Sequence, residues 1–149
     1  MREILFRGKR IDNGEQVEGF LVICDDRYFI LPKTKINCLN PEWLKKGEYA
    51  FCCFIEVRPE TIVQYTGLTD KNGKKIFEGD IIRDAFGLNW VIAFENNAFV
   101  VKDTFEMKTY FAIYEQWRYD RYSKKYISPS DSFEIIGNIY DNPELLHIT

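Results

Sequence analysis

The stretch that most limits how this chain can fold is residues 64–82, QYTGLTDKNGKKIFEGDII, where turn-forming residues separate apolar runs too short for helices. Gln64 to Thr66 read as the end of a strand, and Gly67 supplies a backbone able to take positive φ or to approach a neighbour closely. Asp70-Lys71-Asn72-Gly73 is a turn, because Asn and Gly tolerate left-handed geometry and Asn-Gly is the strongest short hairpin signal. Ile76 and Phe77 resume an extended run. Glu78-Gly79-Asp80 then turns the chain into Ile81-Ile82-Arg83, a β-branched strand start.

The same alternation runs through the rest of the chain. Residues 3–7 read as a first strand, followed by a basic turn at Gly8-Lys9-Arg10 and a hairpin turn at Asp12-Asn13-Gly14. Val17 to Cys24 and Tyr28 to Leu31 pair around Asp25-Asp26-Arg27, and Pro32 closes the second of them because it has no N–H for a ladder. Tyr49 to Val57 and Thr61 to Thr66 are extended, as are Trp90 to Phe94 and Phe99 to Val101 on either side of Glu95-Asn96-Asn97. Residues 105–117 fit both periodicities and read as helix at the start and strand beyond. Phe133 to Tyr140 is a strand. Asn40-Pro41-Glu42 and Asn142-Pro143-Glu144 are helix starts, with a capping Asn, Pro at the first helical position and an acidic first turn.

A chain of 149 residues with 46% apolar and 16% aromatic side chains can bury a core without a metal or a disulfide. Its net charge of −3 gives no global attraction to nucleic acid or to an anionic membrane. No apolar run approaches the ~18 residues of a membrane span. Ile4-Leu5-Phe6 is broken at once by Arg7, which argues against a secretory signal. The cysteines are Cys24, Cys38, Cys52 and Cys53; adjacent Cys52 and Cys53 on a strand point to opposite faces, which suits neither one disulfide nor a shared metal. They read as buried reduced thiols of a cytoplasmic protein.

Two motif pairs recur in order. NGEQVEGFL (13–21) and NGKKIFEGDII (72–82) share an Asn-Gly turn and Glu-Gly before a strand, and NPEWL (40–44) matches NPELL (142–146). Recurrence of common turn chemistry accounts for them, and the alternative is an internal duplication with an insertion of roughly 40 residues in the second copy. The expected organisation is one domain over 1–149, with β lobes of about 1–60 and 61–149.

QYTGLTDKNGKKIFEGDI (64–81), IIGNIYDNPELL (135–146) and the start MREILFRGKR closely resemble the YopX family of phage and prophage proteins. The resemblance implies a mainly β protein with SH3-like small-barrel lobes and short helices, self-associating, in the cytoplasm of a bacterial host. It implies an accessory role and supplies no catalytic residues, so none is transferred; Gly67, Asp70, Asn72, Gly73, Glu78, Gly79 and Asp80 are read from their own turn chemistry as a structural turn motif.

Candidate chemistry is sparse. The only histidine, His147, stands three residues from the end, a poor place for a positioned general base. Asp70, Glu78, Asp80 and Asp84 form a carboxylate cluster suited to an acid/base pair, yet Asp is also the expected turn residue there. RYDRYSKKY (118–126) interleaves Arg118, Arg121, Lys124 and Lys125 with Tyr119, Tyr122 and Tyr126, the combination of cations and aromatic faces that single-strand binders use. The expectation is therefore a non-enzymatic, self-associating interaction module that binds a host or phage protein, without cofactor, metal or membrane partner. The alternatives are an SH3-like nucleic-acid-binding module using 118–126 and a carboxylate-based hydrolase.

Overall fold

The computed structural model describes residues 3–32, 54–113, 118–120, 125–127 and 132–146. The chain divides into two compact units, Met1–Gln64 and Tyr65–Thr149. Both are built from antiparallel strands, and the helical elements among the described residues are short 3-10 turns, Pro59–Thr61 and Pro143–Leu146.

In the first unit, β1 (Phe6–Lys9), β2 (Gln16–Cys24), β3 (Arg27–Pro32) and β4 (Ile55–Glu56) form a meander, and the start of β5 (Val63–Thr69) returns beside β1 through Val63 and Gln64. An isolated bridge between Arg10 and Val57 joins the chain just after β1 to the chain just after β4. The N–H of Arg58 donates to Lys9 O at 2.9 Å beside it, so the sheet curls back on itself without a closed ladder. Leu5, Ile30, Val57 and Val63 fill the interior.

Two glycines are fixed by this packing. A Cβ on Gly19 would lie 2.0 Å from the carbonyl oxygen of Leu31, so β2 and β3 can approach only without a side chain there. A Cβ on Gly8 would lie 3.2 Å from Val57 Cβ. Gly8, packed under Val57, and Lys9 are therefore strand residues rather than part of the basic turn expected at 8–10; the turn comes at residues 11–13.

In the second unit the latter part of β5 pairs with β6 (Lys75–Phe77), with a register shift between Tyr65 and Thr69 where Gly67 takes φ +89°. The strand thus continues past Thr66 instead of ending there. β7 (Asp80–Arg83), β8 (Asn89–Glu95), β9 (Ala98–Asp103) and β10 (Thr109–Ala112) form a second meander, and β13 (Glu134–Asn138) returns beside β7. Between them β11 (Arg118–Asp120) pairs with β12 (Lys125–Ile127) as a separate two-stranded sheet. Among the described residues no pairing joins β10 to β13, so this sheet stays open. Ile76, Ile82, Ile92, Phe99, Val101, Ile113 and Phe133 form its core.

The expected Asn96-Asn97 hairpin is present, with both residues at positive φ (51° and 63°), the geometry a two-residue primed turn requires. The helix expected at the start of 105–117 is absent. Residues 104–106 are a turn leading to β10, because Asp103 takes the N–H groups that a helix would need. The helix start at 142 yields only a 3-10 turn, since Asn142 Oδ1 accepts the N–H of Asn138 behind it, at 3.3 Å, rather than capping forward. NPEWL (40–44), Cys38, Cys52, Cys53 and His147 lie outside the described residues. Cys24 is exposed rather than buried, as the last residue of β2 before the Asp25 turn.

Candidate functional site

The 64–82 motif works as a set of internal clamps. Thr66, fully buried, donates its hydroxyl to Ile76 O at 2.8 Å across the β5–β6 hairpin. Asp70 is also buried. Its Oδ1 accepts the N–H groups of Asn72 (2.8 Å) and Lys74 (2.9 Å), which shapes the turn, and its Oδ2 reaches the N–H of Ile135 in β13 (3.1 Å). Lys71 N–H donates to Phe133 O at 2.9 Å alongside, and the Lys71 ammonium pairs with Glu134. The turn thus occupies groups on the outer edge of β13, which would otherwise stand open to another chain. Burial alone would push the Asp70 carboxyl up, but the N–H groups of Ile135, Lys74 and Asn72 outweigh it and hold it below the ordinary Asp value. Asp80, likewise buried, accepts the N–H of Phe77 at 2.8 Å, and Gly79 (φ +77°) brings its backbone to Ile92 O and Ile139 N. Gly67, Asp70, Asn72, Gly73, Gly79 and Asp80 thus lie in the turns and backbone contacts of this stretch.

Two further carboxylates repeat the clamp at hairpin tips. Asp84 Oδ1 accepts the N–H groups of Phe86 (2.8 Å) and Leu88 (2.9 Å), and its Oδ2 accepts Trp90 Nε1 (2.9 Å). Asp103 Oδ1 accepts those of Phe105 (2.9 Å) and Glu106 (2.6 Å), and its Oδ2 that of Lys108 (2.8 Å). The Glu106 N–H first, with Lys108 and Phe105, holds the Asp103 carboxyl below its ordinary range despite the opposing effect of burial. Because Arg83 pairs with Asn89, Trp90 with Asp103 and Lys102 with Thr109, both tips fall at the same end of the five-stranded sheet.

What these tips present is apolar: Phe86 is 84% exposed, Leu88 55%, Phe105 64% and Met107 40%. Met107 is held at φ +53°, a conformation a side-chain-bearing residue adopts only under constraint. The site was not among the sequence candidates, yet a signal for it exists. Asp-Ala-Phe-Gly-Leu (84–88) and Asp-Thr-Phe-Glu-Met (103–107) share the pattern Asp-x-Phe-x-apolar, in which the Asp fixes the loop and the apolar residues point away from any core.

The other candidates place differently. Arg118, Tyr119 and Asp120 lie in β11 and Lys125 and Tyr126 in β12, in a register setting Tyr119 opposite Tyr126 and Asp120 opposite Lys125; Arg121, Tyr122 and Lys124 lie outside the described residues. Among the described residues no group of three His, Cys, Asp or Glu is placed to hold a metal ion, and no helix is long and apolar enough to cross a membrane. The first unit holds a cavity of about 480 Å³ walled by Val22, Phe29 and Phe54, with Cys24 and an Arg27–Glu56 pair at its rim. The guanidinium meets that carboxylate through Nε (2.8 Å) and Nη2 (2.6 Å) and lies 5.0 Å from the Phe29 ring, a packed and neutralised arrangement.

Against known proteins, the model of a family described as YopX protein matches residues 25–147. No curated protein matches the chain. Among solved structures, the crystal structure of protein EF1440 from Enterococcus faecalis is similar, with a TM-score of 0.50 and 22% identity over 99% of this chain and 100% of that one. That likeness concerns the fold alone.

Proposed function

The chain belongs to the YopX family, and from that premise we propose that it is a non-enzymatic accessory protein of a phage or prophage, a self-associating interaction module of the bacterial cytoplasm. The observation that carries this reading is the pair of clamped tips exposing Phe86, Leu88, Phe105 and Met107 at one end of a sheet. Exposed apolar groups on loops already fixed by hydrogen bonds lose little conformational freedom on docking, so they gain more of their burial free energy than mobile ones. Aromatic residues and Met are also the types enriched where proteins meet. A second copy of the chain and a host or phage protein are the partners proposed for this surface.

Sedimentation of the wild type and of the Phe86→Ser/Phe105→Ser double variant tests it. Association in the wild type that is lost in the double variant, with the unfolding midpoint kept, supports the proposal. A monomeric wild type that retains no protein on capture from infected cells would sink it.

The hydrolase alternative is weakened by the engagement of its carboxylates. Asp70, Asp80 and Asp84 each accept backbone N–H groups, which leaves them committed to turns. The finer fold reading, two SH3-like lobes from a duplication, draws support from the strand orders β4-β3-β2-β1-β5-β6 and β10-β9-β8-β7-β13, each a four-stranded meander with a later strand returned beside the first, although β6 extends the first order by a strand that the second lacks. The motif pairing of the sequence does not coincide with that repeat. Gly19 stands inside β2, the second strand of its meander, whereas Gly79 stands in the turn before β7, the first strand of the other.

A further inference from the structure

In the first unit β2 is apolar on both faces. Leu21 stands opposite the fully buried Ile30 on the face that lines the interior, while Phe20 and Val22 stand opposite Leu31 and Phe29 on the other. A strand with one face in water alternates apolar and polar residues, so this pattern calls for a cover on the second face as well. The cavity lies on that face, with Val22, Phe29 and Phe54 as its walls and the exposed Cys24 at its rim. Phe20, 46% exposed, continues the apolar surface two residues, or about 7 Å, along β2. An apolar cavity of about 150 Å³ holds a benzene molecule. One of about 480 Å³ therefore has room for a phenyl group and an aliphatic side chain together.

We propose that this cavity receives the 84–88 tip of a second copy of the chain. The inference rests on the reading of the tips as a self-association surface and gives that surface its counterpart. At about 200 Å² a side chain, the exposed parts of Phe86, Leu88, Phe105 and Met107 present roughly 500 Å². Each partner of a stable dimer buries ~800 Å². Tip against identical tip would not bury even the smaller area, because two convex surfaces meet without the close packing of an interface core. A cavity encloses the whole group, and each copy then makes two contacts, one through its tip and one through its cavity. Phe86, 84% exposed on a loop fixed by Asp84, enters with Leu88 beside it. The 103–107 tip, two strand spacings or about 10 Å away, is within reach of Phe20. Since the two surfaces differ, the contact is head-to-tail and repeats into a ring or an open chain instead of stopping at a dimer.

Sedimentation velocity on the full chain and two complementary variants tests this. Phe86→Ser/Phe105→Ser removes the tips and keeps the cavity, while Cys24→Trp sets an indole at the cavity mouth from an exposed position and keeps the tips. The wild type should grow beyond a dimer as its concentration rises. Each variant alone should associate roughly 30-fold or more weakly, and an equimolar mixture of the two should form a 1:1 dimer and stop there. Association should also slow the alkylation of Cys24, read by peptide mass, in the wild type and not in the tip variant, a measurement that needs no change in the cavity. A Cys24→Trp variant with the wild-type urea midpoint and wild-type association overturns the inference. It assigns the cavity to another occupant and leaves the tips as a self-association surface. A monomeric wild type, a mixture that does not pair, or Cys24 alkylation that ignores concentration overturns it too. A tip variant that associates as the wild type does removes both readings at once.

Discussion

Replacing Asp70 isolates the longest-range link in the 64–82 motif. The carboxylate accepts three N–H groups, and hydrogen bonds to a charged acceptor contribute about 1.5–3 kcal/mol each when the group is out of water. Asp70→Asn can keep the two turn bonds through its carbonyl oxygen. Its amide then presents N–H to the N–H of Ile135, which loses its acceptor and faces a donor instead. The expected loss is about 1.5–3 kcal/mol for Asn and about 2–5 kcal/mol for Ala, which abandons all three donors but leaves those of the exposed Asn72 and Lys74 to water. Equilibrium unfolding in urea measures the total, and amide exchange locates it: Ile135 should lose protection while Val101 in the core loses only what global stability dictates. If Asp70→Asn unfolds within about 0.5 kcal/mol of the wild type, the reasoning fails, because the β13 contact would then contribute nothing net.

Three further outcomes follow from the same geometry. Gly19→Ala forces a Cβ to within 2.0 Å of the Leu31 carbonyl oxygen and should cost about 3 kcal/mol or more, read as a lowered urea midpoint. Phe99→Ala empties a site that is 2% exposed and removes the edge contact with Phe94 at 5.0 Å, an expected loss of about 3–5 kcal/mol by the same measurement. On acidification, Asp70 carries a folded pKa below its unfolded value, so its stabilisation is complete above the ordinary Asp value and lost as pH falls through the folded one. The gap between wild type and Asp70→Asn should therefore be widest at neutral pH and narrow below about pH 4.

What could be read in the sequence was local. Asn96-Asn97 and Asn13-Gly14 announce their turns because the residues that tolerate positive φ are few, and the alternating runs around them mark β2, β3, β8 and β9. Asp70 reads correctly as a turn residue, but its second role depends on Ile135, 65 residues away, and no local pattern encodes that distance. Gly8 looks like a turn glycine and is instead the flat spot beneath Val57, a choice made by packing. At the start of 105–117 the helical spacing misled, because Met107 faces solvent at the tip and a spacing rule assumes a buried face. The site went unread for a related reason: Phe86 and Phe105 look like core residues to any rule that counts hydrophobicity alone.

Asp103 separates folding from binding most cleanly. Its three acceptor bonds serve N–H groups of Phe105, Glu106 and Lys108, all in exposed residues that water can reach once the carboxylate is gone. Asp103→Ala should therefore leave the urea midpoint close to that of the wild type. Yet the same bonds keep the tip in one conformation, with Met107 at a φ that a free loop rarely visits. Freeing the tip means Phe105 and Met107 must be ordered on docking, at about 0.5–1.5 kcal/mol for each side chain, which corresponds to roughly 5- to 150-fold weaker association. Sedimentation equilibrium beside urea unfolding reads the two effects separately. A variant that loses stability and association in proportion would make Asp103 an ordinary structural residue, and one that associates as well as the wild type would remove the tip from the contact.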